Sequence, residues 1–256
     1  MTSSDTQNMK KDTANPHYQL EPIAYIRTCF TDKFGIPRQP RLAPSAKGYV
    51  YLEPPFDNLD SVAGLEQSSH IWLSFIFHQH IDKGWQTKVR PPRLGGNKKL
   101  GVFATRSSFR PNALGLSVVK LDSIETIDGR LVLAVSGVDL MDGTPIVDIK
   151  PYIPYADSIP EASNGFAQQP PPKLRVNISK DLTLLCDHYQ QQHAVDFKQL
   201  ITEVLQQDPR PAYQSLDEAR IYGMTLLNHN VRWQYQLCTH NIGETIIKVL
   251  DIEPID

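Results

Sequence analysis

Leu116–Val135 reads LSVVKLDSIETIDGRLVLAV. Two runs of branched and aliphatic residues, Leu116–Leu121 and Leu131–Val135, flank Asp128-Gly129. Asp-Gly suits the centre of a tight hairpin, because both positions need left-handed backbone. Five more short runs of this kind are Ile23–Arg27, Gly48–Leu52, His70–Phe77, Leu100–Ala104 and Pro145–Ile149. Pro, Gly, Asp or Asn bounds each of them, as strands require. No amphipathic helix separates them. This pattern predicts a mainly β fold, a small antiparallel β-barrel or sandwich, over residues 18–158. Asn58–Gly64 can form one helical turn, and residues 1–17 read as a flexible tail.

A stretch without periodicity follows. Ile159–Pro172 is IPEASNGFAQQPPP, and residues 159–174 read as a Pro-rich linker or a long ordered connection. Residues 175–256 then predict a small α+β domain. Asp181–Gln192 can form a helix, and Phe197, Leu200, Ile201, Val204 and Leu205 share one face of a second. Asp208-Pro209 ends that helix. Tyr222, Met224 and Leu226 alternate, as do Val231, Trp233, Tyr235 and Leu237, with a turn at Asn228-His229-Asn230. Thr245–Leu250 makes a third strand.

Over the whole chain, 26 Lys and Arg stand against 28 Asp and Glu, a net charge of −2 that excludes a uniformly basic nucleic-acid binder. The total hides a segregation. Residues 83–110 hold eight bases and no acid, and residues 33–50 hold four bases and no acid. From Asp181 onward there are 11 acids and five bases. Loops rich in Arg, Gly and Pro can bring guanidinium forks and backbone N–H groups to a phosphate or carboxylate. Trp85, Phe103 and Phe109 add stacking faces suited to an RNA loop. The alternative is a solvated loop. No apolar stretch is long enough to span a bilayer, and Met1–Pro16 has no secretory apolar region. Cys29, Cys186 and Cys238 form no disulfide framework, so the expected compartment is the cytoplasm.

Several motifs carry possible chemistry. His78-Gln79-His80 follows an apolar run. On a strand, the two histidines would share a face and could hold a metal, but no third ligand has an informative spacing, so no metal is expected. Ala104–Asn112 packs Arg106, Arg110 and three hydroxyls behind a strand. Asp142-Gly143-Thr144-Pro145 is either a plain turn or a site. Asp148 either faces water or pairs with Lys150. Asp208–Tyr213, DPRPAY, is more elaborate than a helix stop needs. There is no GxGxxG, P-loop, GxSxG or HExxH.

Together these segments resemble one family. PRQP (Pro37–Pro40), FHQ (Phe77–Gln79), VRPPRLGG (Val89–Gly96), GVFATRS (Gly101–Ser107), FRPN (Phe109–Asn112), DGTPIVDIKPY (Asp142–Tyr152) and DPRPAY are similar to the TsaA-like, or TrmO, tRNA (adenine-N6)-methyltransferases. The resemblance implies a TsaA-like barrel, S-adenosylmethionine as methyl donor, and a homodimer with the cofactor near the subunit contact. It implies N6-threonylcarbamoyladenosine beside the anticodon of threonine tRNA as substrate. Carried over by motif, the cofactor residues are Pro37, Arg38, Gln39, His78, Gln79, Arg106, Leu116, Asp142, Gly143, Thr144 and Pro145. Arg90, Arg93, Arg110 and Asn112 are candidates for tRNA binding, and Asn112 and Asp148 for a polar acceptor near N6. The family pattern usually reads FRPNPIG, whereas this chain has Ala113-Leu114 after Asn112. The competing expectation is an RNA-binding module of the same fold without catalysis.

Overall fold

In the computed structural model, which describes residues 18–211, 213–238 and 244–255, alternating burial builds the first unit. The strand His70–Ile76 shows how: Ile71, Leu73 and Phe75 are buried, while the residues between them are only partly covered. Chain order runs β1 (Ala24–Thr28), β2 (Lys47–Leu52), α1 (Leu59–Val62), β3 (His70–Ile76), β4 (Lys88–Val89), β5 (Leu100–Gly101), β6 (Leu114–Ile127), β7 (Arg130–Ser136), β8 (Thr144–Pro151) and α2 (Pro154–Asp157). Six strands close into a barrel in the order β1-β2-β7-β6-β3-β8. Every neighbouring pair is antiparallel. Ile26, Val50, Ile71, Leu73, Val119, Leu133, Val135 and Ile146 are fully buried inside it. Each such side chain stabilises the fold by roughly 1.5–3 kcal/mol relative to exposure.

Antiparallel closure decides where the loops go. Neighbours around the ring alternate in direction, so the segments after β1, β3 and β7 leave from the same end. These segments hold residues 29–46, 77–113 and 137–143, which carry nearly all the motifs quoted above. The opposite end carries the Asp128-Gly129 hairpin, with Asp128 at φ 51° and Gly129 at φ 77°.

Some sequence expectations are corrected. The run Leu100–Ala104 is a strand only over Leu100–Gly101. Val102–Ala104 coils into a 3-10 turn closed by Thr105 N–H on the Val102 carbonyl at 3.1 Å. β6 extends beyond Leu121 because a register shift between Leu121 and Ser123 absorbs polar Asp122 without ending the strand. His78–Lys83 is a 3-10 segment, not a strand end, so His78 and His80 lose the shared-face geometry proposed for a metal pair. Among the described residues no group of three or more His, Cys, Asp or Glu is placed to hold a metal ion. None of their helices is long and apolar enough to cross a membrane.

The second unit comprises β9 (Arg175–Asn177), α3 (Lys180–His193), α4 (Phe197–Leu205), β10 (Tyr222–Leu226), β11 (His229–Leu237) and β12 (Thr245–Pro254). Its sheet has the order β10-β11-β12-β9, and the β12–β9 pair is parallel. Three-residue β9 carried no sequence signal of its own. Ser179 and Asp196 cap α3 and α4 by accepting N–H bonds from Leu182 and Gln199. The hairpin turn lies at Leu227-Asn228, with Leu227 at φ 53°; His229 and Asn230 already belong to β11. Phe34 stacks on Trp233 with ring centroids 5.9 Å apart, so one apolar core runs through both units.

Candidate active site

The segment after β1 touches each of the other motif-bearing segments in turn. Thr28 donates its N–H to Asp142 Oδ1 at 2.9 Å, and Asp142 donates its own to the Phe30 carbonyl at 2.8 Å. Lys33 Nζ donates to the Gln79 carbonyl at 3.3 Å. Arg106 Nη1 donates to Gln39 Oε1 at 2.6 Å. Three distant parts of the sequence therefore meet around residues 28–39.

Beside this junction lies an open cleft of about 960 Å³. Its walls come from Arg38, Gln39 and Leu42, from residues 89–93 and 103–108, from 164 and 166–171, and from Gln207. Four arginines, Arg38, Arg90, Arg93 and Arg106, line it, and no carboxylate does among the described residues. Such a wall fits a ligand bearing phosphate or carboxylate groups, because guanidinium forks match their oxygens. Phe103 is exposed on the rim and offers a stacking face.

Of the residues assigned by motif, Arg38, Gln39, Arg90, Arg93 and Arg106 share this cleft; Pro37 is buried just behind them. Others lie elsewhere. His78 and Gln79 sit on the 3-10 segment, with Gln79 Nε2 3.3 Å from His78 Nε2. Burial first, then the nearby Lys33 charge, lowers the pKa of His78, against a backbone contact at Ile76 that raises it. His80 packs edge-on to Phe109 at 5.1 Å. Leu116 is 54% exposed and pairs with Ser74 on the barrel wall.

The DGTP turn has a complete structural account. Asp142 braces Thr28 and lies 3.4 Å from Arg27 Nη1, Gly143 adopts φ 73°, and Thr144 Oγ1 donates to the Met141 carbonyl at 2.7 Å. Pro145 pairs with Tyr25. Arg110 is engaged within its own loop: Nη1 donates to the Thr105 carbonyl at 2.7 Å, and the guanidinium lies 5.9 Å from the Phe103 ring centre. Asn112 is exposed at the following turn. Asp148 forms an ion pair with Lys150. Ala113 stands at φ 49° and donates its N–H to the Arg110 carbonyl at 3.1 Å. Proline could do neither, so this turn differs in backbone from the proline-bearing pattern.

Two features lie outside the site residues expected from sequence. Residues 164 and 166–171, in the stretch read as a Pro-rich linker or a long ordered connection, form a wall of the cleft, where Arg93 Nη2 donates to the Gln169 carbonyl. Asp139 sits at the barrel mouth, accepting the Ser117 hydroxyl at 2.5 Å. Burial pushes its carboxyl up to about 6, against the pull of Ser117, its own backbone N–H and the Arg106 charge. An acid between apolar Val138 and Leu140 was the available signal.

Comparisons with known proteins identify the family. Residues 25–158 match the tRNA-methyltransferase O N-terminal domain, and residues 171–255 match the TrmO C-terminal domain. The chain is 49% identical to Pseudomonas aeruginosa RcsF, whose name places it with S-adenosylmethionine-dependent methyltransferases, over 92% of this chain and 97% of that protein. It is 45% identical to the Escherichia coli tRNA (adenine(37)-N6)-methyltransferase, over 85% of this chain and 93% of that one. A crystal structure of TrmO superposes with a TM-score of 0.76 at 43% identity, covering 93% of this chain and all of that one. With both domains matched and the barrel shared, the chain belongs to the TrmO family of tRNA methyltransferases.

Proposed function

We infer that this chain is an S-adenosylmethionine-dependent methyltransferase acting on N6 of adenosine 37 in tRNA, the activity named for its relatives. The observation that carries the reading is the four-arginine cleft at the loop end of the barrel, which no carboxylate lines among the described residues. The cofactor supplies an electrophilic methyl group. Arg106, held by Gln39, and Arg38 would take its carboxylate. Asp142 could take the ammonium in place of Arg27, its present neighbour at 3.4 Å. The motif resemblance also assigns backbone groups of the DGTP turn to the adenine edge, and His78, Gln79 and Leu116 to the cofactor, although these lie outside the four-arginine cleft. Arg90 and Arg93 would hold phosphates of the anticodon loop, placing N6 in line with the methyl group; such alignment supplies much of the rate in a displacement.

The finer reading is that the acceptor is the threonylcarbamoylated adenosine of threonine tRNA, in the cytoplasm. A homodimer would place exposed Leu116 against a second subunit. Incubation with labelled S-adenosylmethionine and threonine tRNA, with and without the threonylcarbamoyl group, followed by nucleoside analysis, tests the function. Label in N6-methylated threonylcarbamoyladenosine is the expected product. No transfer to either tRNA would reject the enzyme, and calorimetry with the cofactor would then identify a noncatalytic RNA-binding module by absence of binding. Sedimentation tests the dimer.

A further inference from the structure

The C-terminal domain grips the segment that bears Arg38 and Gln39 at many points. Gly35, at φ 94°, lies so close to Met224 that a Cβ there would stand 2.7 Å from its sulfur. Leu227 donates its N–H to the Cys29 carbonyl at 3.1 Å. Glu203, only 7% exposed, accepts the Ser45 N–H at 2.7 Å, and Gln207 Nε2 donates to the Leu42 carbonyl at 3.1 Å. Next to Gln207 is the DPRPAY turn, which helix termination does not explain.

Its Asp208 stands at φ 52°, a conformation that Asp and Asn tolerate better than most residues. Asp208 accepts the Tyr235 hydroxyl at 2.7 Å, and Arg210 donates to both of its oxygens, at 3.3 and 2.8 Å. The Arg210 guanidinium also lies over the Tyr235 ring, 5.0 Å from its centre. This lock fixes the turn so that the Arg210 carbonyl accepts a hydrogen bond from Arg38 Nη2 at 3.2 Å. The Arg38 head, although exposed, is thereby tied to this turn where it lines the cleft.

We propose that Asp208, Arg210 and Tyr235 are positioning residues of the C-terminal domain, which act on the reaction by orienting Arg38 in the cleft. The domain thus completes the site from outside the barrel, while its excess of acids argues against its being the main phosphate grip. This inference rests on reading the cleft as the methyl-transfer site.

The test is a double-mutant cycle in the full chain. Steady-state methyl transfer is measured for the unaltered protein, Arg38→Ala, Asp208→Asn, Tyr235→Phe and the two doubles, varying S-adenosylmethionine and tRNA in turn. Melting temperature is followed in parallel. Asp208→Asn keeps a side chain suited to left-handed backbone, and Tyr235→Phe keeps the buried ring. Asp208→Asn is expected to lower kcat/KM roughly tenfold when Arg38 is present, the size of one lost charge-assisted hydrogen bond, and by less than about twofold in the Arg38→Ala background. Tyr235→Phe should follow the same pattern at smaller amplitude, with stability changes equal in both backgrounds. Equal losses in both backgrounds, or no loss with Arg38 present, would overturn the positioning role while leaving the cleft assignment intact. An Arg38→Ala enzyme with unchanged kcat/KM would overturn the cleft assignment and this inference together.

Discussion

Asp139→Asn removes a carboxylate from the barrel mouth while keeping an oxygen for the Ser117 hydroxyl. The carboxyl ordinarily titrates near 3.8 and is pushed up to about 6 here, chiefly by burial. The folded state therefore retains a proton that the unfolded state has already lost between pH 4 and 6. Stability from this group is greatest at low pH and falls as pH rises through that window. Two units of raised pKa correspond to about 3 kcal/mol, the upper bound of the cost above pH 6. Urea unfolding of both proteins from pH 4 to pH 8 measures the difference. The variant should match the parent near pH 4 and gain steadily, reaching at most about 3 kcal/mol above pH 7. A difference independent of pH would refute a raised carboxyl pKa. A parent that gains stability over the variant between pH 5 and 7 would reverse its sign.

Ala113→Gly should stabilise the fold by about 1 kcal/mol, since glycine adopts left-handed backbone freely. Ala113→Pro should cost about 3 kcal/mol or more through loss of the bond to Arg110 and a forbidden φ; thermal melts report both. Gly115→Ala should destabilise by about 3 kcal/mol, because the added methyl would stand 2.2 Å from the Phe75 ring; a melt within error of the parent would contradict that packing. Replacing Arg90 and Arg93 by Gln should weaken tRNA binding and flatten its salt dependence by about two counterions. An unchanged slope would return that loop to a solvated role.

The hairpin at Asp128-Gly129 and the strand within His70–Phe77 were legible because strand propensity and turn chemistry are local; which of its apolar residues face inward was not. So was the helical face from Phe197 to Leu205. Local pattern failed at Val102–Ala104, where a 3-10 turn replaced the strand, and at His78–His80, where two histidines left their shared face. Only Val102 of these residues is buried, so the strand face that their composition suggests has nothing to pack against there. Motif resemblance put Arg38, Gln39 and Arg106 among eleven cofactor candidates without indicating that Arg106 donates to Gln39.

Composition, alternation and motif order in the sequence determined a mainly β barrel, an appended α+β unit, a segregated basic surface and the family. Barrel closure decided the rest. Because antiparallel neighbours alternate, residues 29–46, 77–113 and 137–143 emerge at one end, although they lie far apart in the chain. Only that closure gathers four arginines on a wall without a carboxylate among the described residues, sets half-buried Asp139 against Ser117, and lets the C-terminal domain reach Arg38. Such contacts depend on through-space distances set by strand register, which no residue's own preference encodes.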